Sequence, residues 1–137
     1  MSDSSLSLVS NDGSQRLFKT RWFAAQAHTL GIADCELAAA AQLLRAGSAG
    51  SLGGGVWRKR LGRGDGREII LLKRNRHFFC VYARAGRAIT DLRHDELRAF
   101  QEVAGEYANF GERELDALVA SGVLMEIRAP EERRRKK

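Results

Sequence analysis

The segment from residue 53 to residue 87 constrains the fold most, because it predicts three consecutive β-strands joined by short connections. The predicted strands are residues 56–61, 68–72 and 78–83. The first mixes apolar and basic residues, the second is almost wholly apolar, and the third is aromatic and β-branched. An apolar run is typical of a central strand covered on both faces, and aromatic and β-branched residues favour strands in general. This segment therefore predicts a sheet at the centre of the chain.

The two connections within this segment have different turn chemistry. Residues 62–66, with the sequence Gly-Arg-Gly-Asp-Gly, join the first two strands and consist mainly of residues that favour turns. Asn75 and Arg76 join the last two strands and are short enough for a two-residue hairpin loop. Such a loop places Arg74 opposite His77 and thereby sets the register of the whole hairpin.

This register predicts a cluster of basic residues. Counted back from the turn, Arg67 lies opposite Arg84, and side-chain alternation places both with Tyr82 on one face at one end of the sheet. Opposed like charges destabilise an antiparallel pair. A phosphate between them makes the arrangement favourable, because guanidinium groups bind phosphate oxygens in bidentate fashion. The first hairpin brings Lys59 and Arg60 to the same end, although its loop leaves their facing open. We therefore expect an anion-binding end of the sheet, with solvated edge charges as the alternative.

The size and charge of the chain limit its organisation. Its 137 residues, 44% of them hydrophobic, predict one domain over residues 16–128, with a flexible leader over residues 1–15 and a basic disordered tail over residues 129–137. The net charge is +6, and residues 130–137 contain five basic and two acidic residues. A mildly basic body fits a polyanionic partner but does not require one.

The sequence also bounds the compartment and the cofactors. No apolar run reaches the roughly 18 residues of a membrane span, and the first residues lack the pattern of a signal peptide. The two cysteines, Cys35 and Cys80, fall on apolar faces of predicted elements, which indicates a reduced, cytoplasmic protein. The three histidines have no metal-ligand spacing, so we expect no metal and no other cofactor.

Two helices are predicted before the sheet. A short extended segment over residues 16–20 leads to a helix over residues 21–30, which Thr20 caps and Gly31 ends. A second helix runs from Asp34 to about residue 46, so the two form a helical hairpin. The glycine-rich residues 47–55 are expected to be a flexible connector, because they lack the Gly-Lys-Ser/Thr ending and the following helix of a P-loop.

Two more helices and a last strand are predicted after the sheet. Asp91 or a nearby residue caps a long helix over residues 94–108. A short helix spans residues 112–120, and residues 123–127 form a strand. Because helices and strands are segregated along the chain, the fold class is α+β. Its predicted architecture is an N-terminal helical hairpin, an antiparallel sheet of three to four strands and C-terminal helices.

Four stretches resemble a known family. They are FKTRWFAAQAHTLGIAD, LGGGVWRKR, REIILLKR and FFCVYARAGRAI, and the resemblance extends in order from Phe18 to Ile127. The sequence is similar to the RelE/HigB-type toxins of bacterial type II toxin–antitoxin systems. The resemblance implies a small α+β fold with a concave antiparallel sheet. It also implies mRNA cleavage, usually on the translating ribosome, and a partner antitoxin, commonly a helix-turn-helix protein.

The resemblance further implies roles for particular residues. The residues expected to be catalytic are Lys59, Arg67, Tyr82 and Arg84. The residues expected to bind nucleic acid are Arg60 and Arg87, which the resemblance implies, together with Trp57, Arg58 and Arg63. The implied chemistry is metal-independent attack of the substrate's own 2′-OH on the adjacent phosphate, with arginines on the phosphate and Lys59 or Tyr82 moving protons. A packing role stays open for Trp57, and a base-stacking role stays open for Tyr82.

The sequence departs from the family at two of these positions. Gly66 precedes Arg67 where the family often has a tyrosine, and Arg84 stands where a lysine is common. Two other functions therefore stay open. One is a ParE-like toxin that inhibits gyrase and cleaves no RNA. The other is a non-catalytic nucleic-acid-binding module whose basic residues only bind phosphates.

Overall fold

The computed structural model describes residues 15–47, 50–62, 66–86 and 91–128. The flexible leader, apart from Gln15, and the basic tail predicted from the sequence lie outside these residues. Arg63 and Arg87, both expected to bind nucleic acid, also lie outside them.

The described residues form four helices and six strands. The helices are α1 (Arg21–Leu30), α2 (Asp34–Arg45), α3 (His94–Tyr107) and α4 (Glu112–Ala120). The strands are β1 (Leu17–Thr20), β2 (Ser51–Gly53), β3 (Val56–Leu61), β4 (Arg67–Arg74), β5 (His77–Ala85) and β6 (Leu124–Ile127). The α+β class predicted from the sequence is confirmed.

The sheet differs from the prediction in size and in strand direction. Its six strands follow the order β2-β3-β4-β5-β1-β6, and β1 runs parallel to β5 while the other neighbours are antiparallel. The prediction of a wholly antiparallel sheet of three to four strands is therefore wrong in detail. The short strand β2 was missed, since it forms inside the glycine-rich connector, whereas the extended segment predicted before α1 forms β1, between β5 and β6. The pairing of β1 joins residues far apart in sequence, such as Leu17 and Phe78, and a four-residue strand carries little periodic signal.

The predicted hairpin between β4 and β5 forms at the expected turn. Asn75 and Arg76 have φ angles of 51° and 71°, the left-handed conformation of a tight two-residue loop, and Arg74 lies opposite His77. The register then changes at an irregularity between Ile70 and Leu71. Such a bulge adds one unpaired residue to one strand.

The bulge changes which side chains of β4 and β5 share a face of the sheet at the end of the hairpin far from the turn. Leu71 lies opposite Cys80 as counted from the turn, but Ile70 lies opposite Tyr82, so Val81 is the extra residue. Beyond this point Arg84 lies opposite Glu68, whereas Arg67 lies opposite Ala85. The expected pairing of Arg67 with Arg84 is wrong, because a one-residue shift exchanges the two faces of a strand.

Two hydrophobic cores lie on the two faces of the sheet. We call the α1 face the one whose core includes Phe23 of α1 together with Ile69 and Leu71 of β4. The α3 face is the one whose core includes Ala104 of α3 together with Ile70 and Leu72 of β4. Both faces are covered at residues 69–72, which explains why the middle of β4 is wholly apolar.

The start of α1 is fixed by two hydrogen bonds. The Thr20 hydroxyl accepts a bond from the N–H of Phe23 at 2.9 Å, as a helix cap does, and the N–H of Arg21 donates to the carbonyl of Val123 at 3.0 Å. The helix ends at Gly31, which has a φ of 69°. Within the described residues, no helix is long and apolar enough to cross a lipid bilayer.

Candidate nucleic-acid interface

The basic residues of β3 alternate between the two faces of the sheet. Arg58 lies opposite Ile70 and Arg60 lies opposite Glu68, so both belong to the α3 face. Lys59 lies opposite Ile69 and therefore belongs to the α1 face. Of the three, only the two arginines share a face with Arg84.

Arg67 also lies apart from Arg84. Its terminal nitrogens donate to the Glu36 carboxylate of α2, the shorter bond being 2.7 Å, and to the carbonyl of Gly31 at 3.0 Å. The side chain thus connects the start of β4 to the start of α2 on the α1 face. The expected convergence of Arg67 and Lys59 with Arg84 is not what the structure shows.

A buried carboxylate holds two arginines together on the α3 face. Glu68 has 0% exposure, and its Oε1 accepts a hydrogen bond from Nε of Arg84 at 2.7 Å. Its Oε2 lies 3.2 Å from Nε of Arg58, close enough for an ion pair but not aligned as a hydrogen bond. A buried charge needs such pairing, since its desolvation is costly. We call Arg58, Glu68 and Arg84 the Glu68 cluster.

Arg58 also contacts an exposed carboxylate. Its NH1 lies 2.7 Å from Oδ1 of Asp91, a residue just before α3 whose side chain is 89% exposed. The hydrogen bond and the charge of Arg58 lower the pKa of Asp91. Arg58 therefore already binds one solvent-accessible anion, in addition to the buried carboxylate of Glu68.

Aromatic side chains lie beside the Glu68 cluster. Tyr82 precedes Arg84 by two positions on β5, so both belong to the α3 face. The ring of Trp22 is stacked on Tyr82 with centroids 6.0 Å apart and planes 16° apart, and the Phe100 ring of α3 lies 5.8 Å from Tyr82. Basic and aromatic groups together are what single-stranded nucleic acid binds.

Comparison with known protein families identifies the chain. The family model described as RelE toxin of the RelE / RelB toxin–antitoxin system matches residues 15–127. The chain belongs to the RelE toxin family. Membership implies a cognate antitoxin as partner. No curated protein and no solved structure matches the chain significantly.

In this RelE-family chain, the structure therefore brings together only part of the residue set expected from the sequence. Arg58, Tyr82 and Arg84 lie close together on the α3 face, and Arg60 points to the same face. Lys59 and Arg67 lie on the opposite face. Lys59 lines a shallow cavity of about 290 Å³ between β3 and α2, with Ala39 and Leu43 of α2.

Trp57 lies within the core of the RelE-family domain. Its exposure is 9%, and its ring meets the edge of Phe78 at 6.1 Å between centroids on the α1 face. Lys73 places its Nζ 5.7 Å from the centre of the same ring. The packing role left open by the sequence is the one this geometry supports.

Trp22 and Glu68 were missed by sequence reasoning. The signal for Trp22 was its position in the first turn of α1, one residue before the buried Phe23. Glu68 carried a weaker signal, as a lone carboxylate at the start of an apolar strand. Its partners on β3 and β5 follow only from the strand register.

The histidine on β5 belongs to a separate network. Nδ1 of His77 accepts a hydrogen bond from the N–H of Arg16 at 3.0 Å, so its proton lies on Nε2, which donates to Glu112 at 2.7 Å. Within the described ranges, no group of three or more histidine, cysteine or acidic side chains is placed to hold a metal ion. His77 is buried at the hairpin end of β5, away from Arg84.

Proposed function

We propose that this RelE-family chain is an endoribonuclease that cleaves mRNA on the translating ribosome and thereby inhibits translation in the cytoplasm. The observation that carries the proposal is the Glu68 cluster beside Tyr82 on one face of the sheet. One buried carboxylate contacts two guanidinium groups there and holds Arg58 and Arg84 side by side. Family membership supplies the general class, a toxin with a cognate antitoxin.

The reaction is attack of the substrate's 2′-OH on the adjacent phosphate. The 2′ oxygen loses its proton and bonds to phosphorus, the bond from phosphorus to the 5′ oxygen breaks, and the 5′ oxygen takes up a proton, leaving a 2′,3′-cyclic phosphate and a 5′-hydroxyl end. Negative charge develops on the phosphate oxygens during this step, and fixed guanidinium groups stabilise it. A guanidinium has five N–H donors, and Arg84 uses the one on Nε for its hydrogen bond to Glu68.

The residue roles are revised by the facing of the side chains. Arg58 and Arg84 would bind the scissile phosphate, with Arg60 binding a neighbouring one. Of the two proton-moving groups suggested by the sequence, Tyr82 lies on this face and Lys59 does not. We therefore assign proton transfer to Tyr82, and we assign Arg67 to anchoring α2 through Glu36.

Mapping of transcript 5′ ends after induction tests the proposal. The wild type is expected to produce new 5′ ends within coding sequences, and Arg84→Ala is expected to reduce them at least 100-fold, because transition-state charge stabilisation is lost. Arg113→Ala is the matched control, since Arg113 is an exposed arginine of α4 outside the Glu68 cluster. An Arg84→Ala variant that folds and still cleaves like the wild type would remove Arg84 from the mechanism.

A non-catalytic RNA-binding module is the second candidate. The contacts that favour it are the ion pairs of Arg58 with Glu68 and Asp91, which neutralise part of the charge, and the absence of Lys59 from this face. Such a module would bind RNA with a steep salt dependence and leave transcripts intact. New 5′ ends that vanish in Tyr82→Phe would exclude it.

The proposed partner is an antitoxin of the helix-turn-helix type. Family membership implies an antitoxin, and we propose that this antitoxin is of the helix-turn-helix type. The adjacent reading frame tests this directly. Co-expression of its product should restore growth if it encodes the antitoxin, and a product without a helix-turn-helix would contradict the proposed type.

A further inference from the structure

Trp22 is an exposed aromatic residue with a fixed orientation. Its residue exposure is 62%, yet its ring is stacked on Tyr82 with planes 16° apart. Phe100 holds the Tyr82 ring from another direction, at 5.8 Å between centroids. A ring that is stacked on one side and still exposed presents its other face to solvent. Single exposed apolar residues are common, but most are not held in this way.

Burial in the core does not explain this position. The helix α1 turns Phe23 and Ala27 into the core, and the Thr20 cap sets where the helix begins. Because the helix begins there, Trp22 lies in its first turn, outside the set of buried residues. Removing its side chain therefore opens no cavity in either core, which makes the position suitable for a functional test.

The surroundings of Trp22 match the two chemical parts of a nucleotide. Tyr82 and Arg84 are two positions apart on one strand face, a separation of about 7 Å, comparable with the length of one nucleotide. Aromatic rings bind unpaired bases by stacking, and guanidinium groups bind phosphates. Because Tyr82 is already held between Trp22 and Phe100, the open ring face at this site is that of Trp22.

We propose that the solvent-facing ring of Trp22 stacks on an unpaired base of single-stranded RNA whose neighbouring phosphate is bound by Arg84. This inference rests on the proposed function, and it gives the substrate class as unpaired RNA, with one base read by stacking rather than by hydrogen bonds. The ring of Tyr82 then supports the Trp22 ring, and the Tyr82 hydroxyl remains available for proton transfer at the phosphate.

Binding of a labelled RNA octamer tests the inference. The octamer carries 2′-O-methyl groups so that it cannot be cleaved, and a set of variants lacks one base at each position in turn. The loss of one base is expected to weaken wild-type binding about tenfold at one position, the scale of a single stacked base. Trp22→Ala should bind the intact octamer about tenfold more weakly and lose the effect of that missing base.

Two further variants separate stacking from a general structural effect. Trp22→Phe keeps an aromatic face and should recover most of the affinity and the response to the missing base. Met125→Ala removes another exposed apolar side chain, on β6 opposite Lys19, and should behave like the wild type. Thermal melting of each variant checks that all are folded.

The outcomes distinguish this inference from the proposed function. Equal affinity of Trp22→Ala and the wild type for every octamer would overturn the inference, and so would failure of the wild type to bind the intact octamer. Transcript 5′-end mapping in the same strains judges cleavage independently. If Trp22→Ala cleaves transcripts as the wild type does, Trp22 has no role in cleavage and the nuclease proposal stands.

Discussion

Two ion clusters of this protein differ in charge balance. In the Glu68 cluster, one buried carboxylate serves two arginines. In the Arg16 cluster, one arginine serves three carboxylates, those of Glu112, Asp116 and Glu126, at 2.6 to 2.9 Å. Negative charge is therefore in excess at the second cluster and not at the first.

This difference separates a structural contact from a candidate binding site. The Arg16 cluster ties the residue before β1 to α4 and β6, and the carboxylates around it raise the pKa of Arg16, the contact with Glu126 contributing most. Its excess negative charge repels RNA. In the Glu68 cluster, Arg58 also contacts Asp91, an exposed side chain that a phosphate can displace. Charge balance, rather than the number of arginines, distinguishes the two regions.

The largest expected effect comes from removing the buried carboxylate. Glu68→Gln removes the buried carboxylate that two partly buried guanidinium groups share, and we expect the free energy of unfolding to fall by about 3–5 kcal/mol. Urea denaturation followed by circular dichroism measures it. The matched change Glu126→Gln leaves Arg16 two other carboxylates and should cost only about 1 kcal/mol. Equal losses for the two variants would contradict the comparison.

A smaller effect is expected from removing the shared arginine of the second cluster. Arg16→Gln breaks three ion pairs and should lower the free energy of unfolding by about 2 kcal/mol, because most of the carboxylates involved are exposed and rehydrate. Transcript cleavage should stay at the wild-type level at a temperature where the variant is folded. Loss of cleavage in a folded Arg16→Gln protein would show that this cluster is not purely structural.

The pH dependence of the Arg16 cluster is a smaller effect again. The hydrogen bond from His77, followed by that from Arg16, lowers the pKa of Glu112, so its contribution is present above the unfolded pKa of about 4.3 and is lost as the pH falls through the lower folded value. Since Glu112 is 60% exposed, the contribution is below about 1 kcal/mol after solvent screening.

Glu112→Gln should flatten the loss of stability below about pH 4.3, and denaturation midpoints measured from pH 6 to pH 3 would show it. Glu102→Gln, an exposed carboxylate of α3, controls for the change in net charge. A steeper acid limb in Glu112→Gln than in the wild type would contradict the assignment.

The smallest expected effect tests whether Asp91 occupies a phosphate position. Asp91→Asn removes the exposed anion from Arg58 and should tighten binding of the non-cleavable RNA octamer about two- to fivefold, as for other exposed ion pairs. Asp95→Asn, which removes an exposed carboxylate paired with Arg93, is the control. Weaker RNA binding by Asp91→Asn would mean that Asp91 positions Arg58 rather than competing for it.

The predictions from the sequence succeeded where the signal was local. Thr20 and Gly31 delimited α1, and Asn75 and Arg76 formed the tight turn that places Arg74 opposite His77. Each of these depends on a few neighbouring residues whose conformational preferences are strong. Short local motifs also supported the resemblance that the family match then confirmed.

The predictions failed where the outcome depended on pairing between distant strands. The third predicted strand has no alternation of polar and apolar residues near Val81, so its sequence does not indicate a one-residue bulge. That bulge exchanged Arg67 for Glu68 as the neighbour of Arg84. The short β2 and the parallel pairing of β1 were missed for a related reason, since their partners lie elsewhere in the chain.

By itself the sequence determined the α+β class, the central hairpin and the family, because these follow from turn residues, helix caps and short motifs. Only the tertiary structure decided which basic side chains share a face and which carboxylates they meet. The physical reason is that a strand alternates its side chains residue by residue, so a single extra residue reverses every facing beyond it. The pairs Arg58–Glu68 and Arg84–Glu68 exist because three strands meet in one register.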